Sequence, residues 1–219
     1  MSFIELQNIE KSFGKTQVLR GINFSIESEE LVAIRGASGS GKSTLLYLLG
    51  GLDKATSGNV LIGGKNLTSM NDEQLANFRN SHVGFVFQFH FLLPSMTCWD
   101  NILLPSRIGG KENSKIEKDI TELAKILGVS HCLKKFPFEI SGGEQQRINI
   151  IRALSLRPKI LLCDEPTGNL DSKNSEIVSS LLKNLARDFK ATLLVVTHDD
   201  KVASNFPRKI VIEDGQIIG

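Results

Sequence analysis

Gly36-Ala37-Ser38-Gly39-Ser40-Gly41-Lys42-Ser43 lies between a short apolar run, Leu31-Val32-Ala33-Ile34, and a stretch carrying Leu45, Leu46, Leu48 and Leu49. The spacing fits G-x-x-x-x-G-K-[ST], and strand, glycine-rich turn and helix is the context this motif requires. Glycines at these spacings let backbone N–H groups turn inward around phosphate oxygens. The helix start that follows adds a field favouring anions. Lys42 is placed to reach β- and γ-phosphates, and Ser43 to ligate Mg²⁺. The candidate phosphate contacts are Gly36, Ala37, Ser38, Gly39, Ser40, Gly41, Lys42, Ser43 and Thr44. A glycine-rich turn without a ligand is the bland alternative, and the flanking strand and helix speak against it.

The remaining periodicities extend this unit into a sheet. Residues 3–9 and 18–26 carry alternating apolar positions (Ile4, Leu6; Ile22, Phe24, Ile26), which predicts strands at a sheet edge. Further strands are expected around Val60-Leu61-Ile62, at Val83-Gly84-Phe85-Val86-Phe87, at Ile160-Leu161-Leu162-Cys163, from Thr192 to Val196, and from Lys209 to Ile212. A turn at Glu213-Asp214-Gly215 follows the last. A helix over roughly 173–187 should present Ile177, Leu181 and Leu185 on one face. Between residues 89 and 158 the character changes: Pro94, Pro105, a polar turn from Gly109, then helical spacing at Ile116, Ile120, Leu123 and Leu127, with Gly128 as a stop. The expected fold is α/β: a mostly parallel, doubly wound core (1–88 and 159–219) with antiparallel edge strands and a helical subdomain inserted at 89–158.

Composition narrows the classes of function. Lys+Arg of 26 against Asp+Glu of 24 gives a net charge of +2 in 219 residues, which offers no electrostatic case for nucleic-acid binding. No apolar run approaches the length that spans a bilayer, and Met1-Ser2-Phe3-Ile4-Glu5 lacks the pattern of a secretory signal. Cys98, Cys132 and Cys163 show no metal-ligand spacing, and a scattered odd count suits a reducing compartment. Any work at a membrane would have to pass through a partner.

Two strand ends add chemistry. Ile160 to Cys163 runs into Asp164 and Glu165, and in doubly wound folds such an end lies beside the phosphate loop. Asp164 suits Mg²⁺, a hard cation preferring oxygen ligands. Glu165 is the candidate general base or water-orienting group, the alternative being an acidic cap of the strand. His198 follows the strand through Val196 and Thr197 and is a candidate for a γ-phosphate contact. Gln88 holds the equivalent position after Phe87, able to touch Mg²⁺ or the attacking water. At Ile140-Ser141-Gly142-Gly143-Glu144-Gln145-Gln146-Arg147, Ser141 is a good N-cap for a helix reaching Leu156. The two glycines leave N–H groups open to an anion or serve close packing.

With these segments in this order, the chain resembles the nucleotide-binding subunits of ATP-binding cassette (ABC) transporters over essentially its whole length. The motifs are Gly36 to Ser43 (Walker A), Gln88 (Q-loop), Ile140 to Gln145 (signature), Ile160 to Glu165 (Walker B), Asn169-Leu170-Asp171 (D-loop) and His198 (switch histidine). Phe13, in Lys11-Ser12-Phe13-Gly14, matches the aromatic that the family places shortly after the first strand to stack on adenine. The resemblance implies a homodimer closed head to tail around two ATP and Mg²⁺. Each ATP would lie between one subunit's Walker A loop and the partner's Ser141, Gly142, Gly143 and Glu144. It also implies integral-membrane permease subunits docked near residues 89–105 and a peripheral position on the cytoplasmic face of the inner membrane.

Glu165-Pro166-Thr167-Gly168-Asn169-Leu170-Asp171 is similar to the group holding lipoprotein-releasing, macrolide and peptide efflux, and cell-division cassettes. Gly84 to Pro94, with Asp100-Asn101-Ile102 and Leu104-Pro105, is most similar to the lipoprotein-releasing type, although Trp99-Asp100 departs from the commoner Glu before Asn. In that group four-span permeases transmit movement to periplasmic domains. Lipoprotein release is therefore the expected task, with the other exporters as alternatives. A soluble ABC ATPase acting on nucleic acid would carry a long coiled coil or a second cassette, and neither heptads nor a second Walker A loop occur. A P-loop GTPase would need Asn-Lys-x-Asp and leaves residues 140–147 unexplained.

Overall fold

The computed structural model describes residues 2–111, 114–168 and 172–218. Two sheets form the frame. The larger has six strands: β3 (Leu31–Arg35), β6 (Val83–Phe87), β7 (Ile160–Asp164), β8 (Thr192–Thr197), β9 (Arg208–Glu213) and β10 (Gln216–Ile217), in the order β10-β9-β3-β8-β7-β6. Neighbours from β9 to β6 are parallel, and β10 folds back antiparallel on β9. Asp214 and Gly215 both have positive φ there, the backbone that a two-residue hairpin with right-handed twist demands. The smaller sheet is antiparallel, β2-β1-β4-β5, built from β1 (Ile4–Phe13), β2 (Thr16–Ile26), β4 (Ser57–Ile62) and β5 (Lys65–Asn66).

Period-two alternation divides the core. Ile160 and Leu162 of β7 point to one side, with Val32, Ile34, Leu194 and Val196. They pack on Leu45, Leu46 and Leu49 of α1 (Lys42–Leu49) and on Ile4, Leu6 and Ile9 of the antiparallel sheet. Leu161 and Cys163 point to the other side with Ala33, Leu193 and Val195. Because both faces are covered, the central strands read as continuous apolar runs.

The second side is roofed by α3 (Cys98–Ile108), α4 (Ser114–Ile126), α5 (Gly142–Leu154) and α6 (Ser172–Asp188). Ile102, Ile120, Ile151 and Leu182 join one cluster with the sheet residues. The later half of α5 thus belongs to the same core as β6 and β7.

Several details depart from the sequence expectations. Helix α3 continues through Pro105; proline removes one N–H donor but not its carbonyl, which accepts from Gly109 N and Asn80 Nδ2. Helix α5 ends at Leu154, short of Leu156. On α6, Ile177 is 55% exposed, and the buried stripe is Val178, Leu182, Leu185 and Ala186. Neighbouring helical residues are about 100° apart, so Ile177 falls outside the stripe that Val178 starts. The periodicity also gave no sign of α2 (Asp72–His82), which buries only Leu75 and Phe78. A reciprocal cap holds its start: Asn71 Oδ1 accepts from Gln74 N, and Asn71 N donates to Gln74 Oε1, a motif contributing about 1 kcal/mol. The five-residue α7 (Asp200–Ser204) is likewise absent from the sequence reading.

Candidate functional site

The parallel register brings the chemistry-bearing residues to one edge. Phe87 pairs with Asp164, Asp164 with Val196, and Ile34 with Val196. Gln88, Glu165, His198 and the loop from Gly36 therefore all leave the carboxyl ends of adjacent strands, where doubly wound sheets bind ligands. A cavity of about 430 Å³ opens there, lined by Ser38, Gly39, Gly41, Lys42, Ser43, Thr44, Gln88, Glu165 and His198, with Val18 from the smaller sheet.

At Gly36 and Gly41 the loop has no room for a side chain. A Cβ on Gly36 would come 2.1 Å from the Ile212 carbonyl oxygen, and one on Gly41 2.7 Å from Leu19 Cδ2, where φ is +101° besides. Buried Lys42 donates to the carbonyls of Gly36 and Ala37, both at 2.8 Å. Burial lowers its pKa, against which Glu165 and Asp164 pull upward. The ammonium carries three donors, so one remains for an anion in the cavity even with both loop bonds kept.

Asp164 lies just behind. Ser43 Oγ donates to its Oδ1 at 2.8 Å and Tyr47 Oη to its Oδ2 at 3.0 Å. Tyr47 was not singled out from the sequence, although it stands four residues after Ser43 on the same helical face. Burial, Asp164's charge and the hydrogen bond to it push the Tyr47 phenol up to about 12, so it remains a donor. Ser43, Asp164 and the Gln88 amide offer only oxygen donors at this corner, a set that suits Mg²⁺.

Glu165 occupies the left-handed region at φ +47°, a conformation costing a non-glycine residue about 1–2 kcal/mol. Its N–H donates to Val196 O at 3.0 Å and its carbonyl accepts from Gly168 N at 3.0 Å. The side chain is thereby turned off the strand into the cavity. Oε1 lies 2.9 Å from His198 Nδ1, whereas Oε2 is buried with no partner. A carboxylate oxygen buried without a donor at the wall of a polar cavity is an acceptor awaiting one. Gly168 abuts Gln88: a Cβ there would sit 2.9 Å from Gln88 Nε2.

Other predicted residues lie elsewhere. Phe13 is the last residue of β1 rather than beyond it. It stands at the hairpin tip, 53% exposed, with Lys11 Nζ 4.7 Å from its ring centroid, and it does not line the cavity. Gly36, exposed Ala37 and buried Ser40 are not among the lining residues. Ser141, Gly142, Gly143 and Glu144 open α5 and are also not part of the lining. Ser141 caps that helix reciprocally with Glu144, whose Oε2 accepts from Ser141 N at 2.8 Å and Ser141 Oγ at 2.6 Å. These bonds, followed by those from His131 and Cys132, hold the Glu144 carboxyl down at about 2. A Cβ on Gly142 would meet nothing, and one on Gly143 only Arg147 Nη1 at 3.9 Å. Packing within this chain therefore does not account for either glycine. Asn169, Leu170 and Asp171 lie outside the described residues.

The stretch 89–105 divides between surface and core. Phe89 and Phe91 are each 63% exposed, whereas Ile102 and Leu103 are buried. Phe85, Phe87, Phe91, Leu104, Pro105 and Ile108 border an open cavity of about 480 Å³. Half-buried Arg152 donates to the carbonyls of His90 and Phe91 and to Asn149 Oδ1, fixing the loop that carries the exposed phenylalanines. No described helix is long and apolar enough to cross a membrane.

The sequence pattern of the ABC transporter family matches residues 19–168. Among curated relatives, the lipoprotein-releasing system ATP-binding protein LolD of Cytophaga hutchinsonii is 44% identical over 211 residues, covering 96% of each chain. The same-named protein of Geobacter metallireducens is 45% identical over 221 residues, covering 99% of this chain and 98% of its own. Among solved structures, the dimeric ABC transporter cassette MJ0796 superposes with a TM-score of 0.89 at 38% identity, covering 99% of this chain and 97% of that one. A post-hydrolysis dimer of MJ0796 bound to ADP and phosphate gives 0.88 at 36% identity, with the same coverage. The chain belongs to the ABC transporter family, with the P-loop ATPase fold of its cassettes.

Proposed function

We propose that this chain is the ATP-hydrolysing subunit of a transporter that releases lipoproteins from the inner membrane, a translocase working as a homodimer of cassettes. The reading takes residues 1–219 as one ABC ATPase domain, with α/β core segments 1–88 and 159–219 and a helical insertion at 89–158. The observation that carries it is Glu165, a lining residue of the cavity it shares with Lys42 and Ser43, whose Oε2 is buried without a donor. The names of the full-length relatives support the cargo class.

In this reading the Gly36–Thr44 loop and Lys42 hold the phosphates of ATP, and Phe13 stacks on adenine. Ser43, Asp164 and Gln88 would hold Mg²⁺, which supplies charge neutralisation on the phosphate oxygens when bound. Glu165 orients the attacking water through its free oxygen and takes its proton. His198 fixes the Glu165 carboxylate through Oε1 and reaches the γ-phosphate through its other ring nitrogen. Ser141, Gly142 and Gly143 present open N–H groups to the nucleotide of a second copy, completing its site. Phe89, Phe91 and the adjoining apolar cavity receive the permease, which places the chain on the cytoplasmic face of the membrane.

The test is co-expression with the products of its neighbouring reading frames. Mg²⁺-dependent ATP hydrolysis and co-purification with a four-span permease carrying a large periplasmic domain are expected. A protein that neither hydrolyses ATP nor binds such a permease would overturn the reading.

A further inference from the structure

Where the turn after α4 meets the start of α5, three different donor atoms converge. His131 Nε2 lies 2.8 Å from Glu144 Oε1, and Cys132 Sγ lies 3.4 Å from each of them. This is the one group of three or more His, Cys, Asp or Glu donors, among the described residues, whose ligand atoms all fall within 4.8 Å of one another. The two Glu144 oxygens have separate tasks: Oε2 accepts from Ser141, and Oε1 meets His131 and Cys132. A cation on Oε1 leaves the helix cap intact.

We propose that His131, Cys132 and Glu144 form a binding site for Zn²⁺, three protein ligands with water in the fourth position. Tetrahedral zinc, with Zn–S of about 2.3 Å and Zn–N and Zn–O of about 2.0–2.1 Å, separates its ligand atoms by about 3.4–3.6 Å. The two contacts to sulfur already match that spacing, and the nitrogen–oxygen contact needs to widen by about 0.6 Å, within reach of an exposed imidazole on a short turn. Thiolate and imidazole select a softer cation than Mg²⁺, which separates this site from the all-oxygen corner at Ser43 and Asp164. The His131 side chain is 60% exposed and provides the way in, above a Cys132 that is buried.

Charge and protons balance. Without metal, Cys132 is a thiol, pushed up to about 11 by burial and by Glu144. On binding, the S–H bond is replaced by S–Zn and the proton leaves to solvent. The thiolate and the carboxylate then offset the cation's two charges, and His131 binds as neutral imidazole through Nε2, its remaining proton on Nδ1: the proton that Nε2 shares with Glu144 Oε1 in the metal-free state moves to Nδ1, or leaves to solvent where Nδ1 already carries one. The bound ion ties residues 131 and 132 to the helix that begins at Gly142. It is a clamp on the region carrying Ser141 and both glycines, and it does not rest on the ATPase reading.

The experiment uses the whole protein, stripped with chelator and free of nucleotide, titrated with Co²⁺ as a spectroscopic stand-in and then with Zn²⁺. A thiolate-to-cobalt charge-transfer band with tetrahedral d–d bands is expected, displaced stoichiometrically by Zn²⁺. Because that band requires sulfur, metal held by His198 and Glu165 does not contribute to it. Cys132→Ser should abolish the band. His131→Ala, at an exposed position that does not threaten folding, should weaken Zn²⁺ by more than the ~10–100-fold typical of losing an outer partner. Zn²⁺ should also raise the melting temperature of the wild type and not of His131→Ala. Absence of the band in the folded wild type, or equal Zn²⁺ affinity in wild type and His131→Ala, would overturn the proposal. Both readouts are independent of ATP turnover, so a failure here and a failure of the ATPase reading are told apart.

Discussion

His198 Nδ1 holds Glu165 Oε1 at 2.9 Å while Glu165 Oε2 stays buried and unpartnered. One oxygen is occupied in positioning and the other is left for chemistry. The left-handed backbone of Glu165 makes this possible, because an extended residue would continue the strand instead of turning its side chain toward Lys42. Strain of that kind persists where the surrounding structure fixes it; here the bonds to Val196 O and from Gly168 N do so.

Glu165→Gln preserves the shape and the contact with His198 but removes the proton acceptor. ATP affinity should stay within about twofold, while turnover falls by the ~10²–10⁴ that a positioned general base supplies. Equilibrium binding of labelled ATP and steady-state phosphate release measure the two. Near-normal turnover would exclude Glu165 as the base.

Tyr47→Phe removes one of the two hydroxyl donors to buried Asp164. The carboxylate keeps Ser43, so the fold should survive, destabilised by the ~1.5–3 kcal/mol of a hydrogen bond to a charged group. Urea unfolding monitored by circular dichroism reads this as a lower midpoint at unchanged slope. An unchanged midpoint would mean that the Tyr47 bond adds nothing to Asp164's placement.

The strand, glycine-rich loop and helix from Leu31 to Leu49 were legible because the motif carries its own context: an apolar strand before it and a leucine-rich helix after it. Glu165, His198 and Gln88 were legible as residues just past strand ends, and the parallel register brings all three to one edge. Tyr47 was not, since its role depends on facing Asp164 across 117 positions of sequence. Helix α2 was missed because a helix with two buried apolar residues has almost no periodic signal; only the Asn71–Gln74 cap marked it. Leu185 and half-buried Leu181 face the core as expected, and only the first position of the α6 face was misplaced, because Ile177 and Val178 are both apolar and packing on the sheet chose Val178.

Arg152 is a half-buried cation held by carbonyl and amide oxygens. Burial brings its guanidinium down to about 10, still charged at neutral pH, and its hydrogen bonds go to the carbonyls of His90 and Phe91 and to Asn149. Arg152→Met keeps much of the volume and removes the donors to both carbonyls; the Phe91 carbonyl can turn to water, so the cost falls mainly on the part-buried His90 carbonyl, at about 1–3 kcal/mol. The melting temperature should fall, and limited proteolysis should cut first near Phe89 to Leu93. A proteolytic pattern identical to wild type would show that Arg152 does not hold this loop.

Gly143 offers the sharpest separation of folding from function. Inside a helix, glycine is less stable than a residue with a side chain by about 0.5–1 kcal/mol, and a Cβ here meets only the far end of Arg147 at 3.9 Å. Gly143→Leu should therefore leave the monomer as stable as wild type or more so. If the open face of α5 receives a second copy's nucleotide, the same leucine fills the space that the nucleotide needs. ATP binding to the monomer should then be normal while ATP-driven dimerisation and hydrolysis are lost. Combining it with Glu165→Gln stops turnover, so the dimer can be followed by light scattering in the presence of ATP. Full dimerisation by the double variant would show that the glycines at the start of α5 do not face the shared site. A monomer that melts lower would show instead that they are structural.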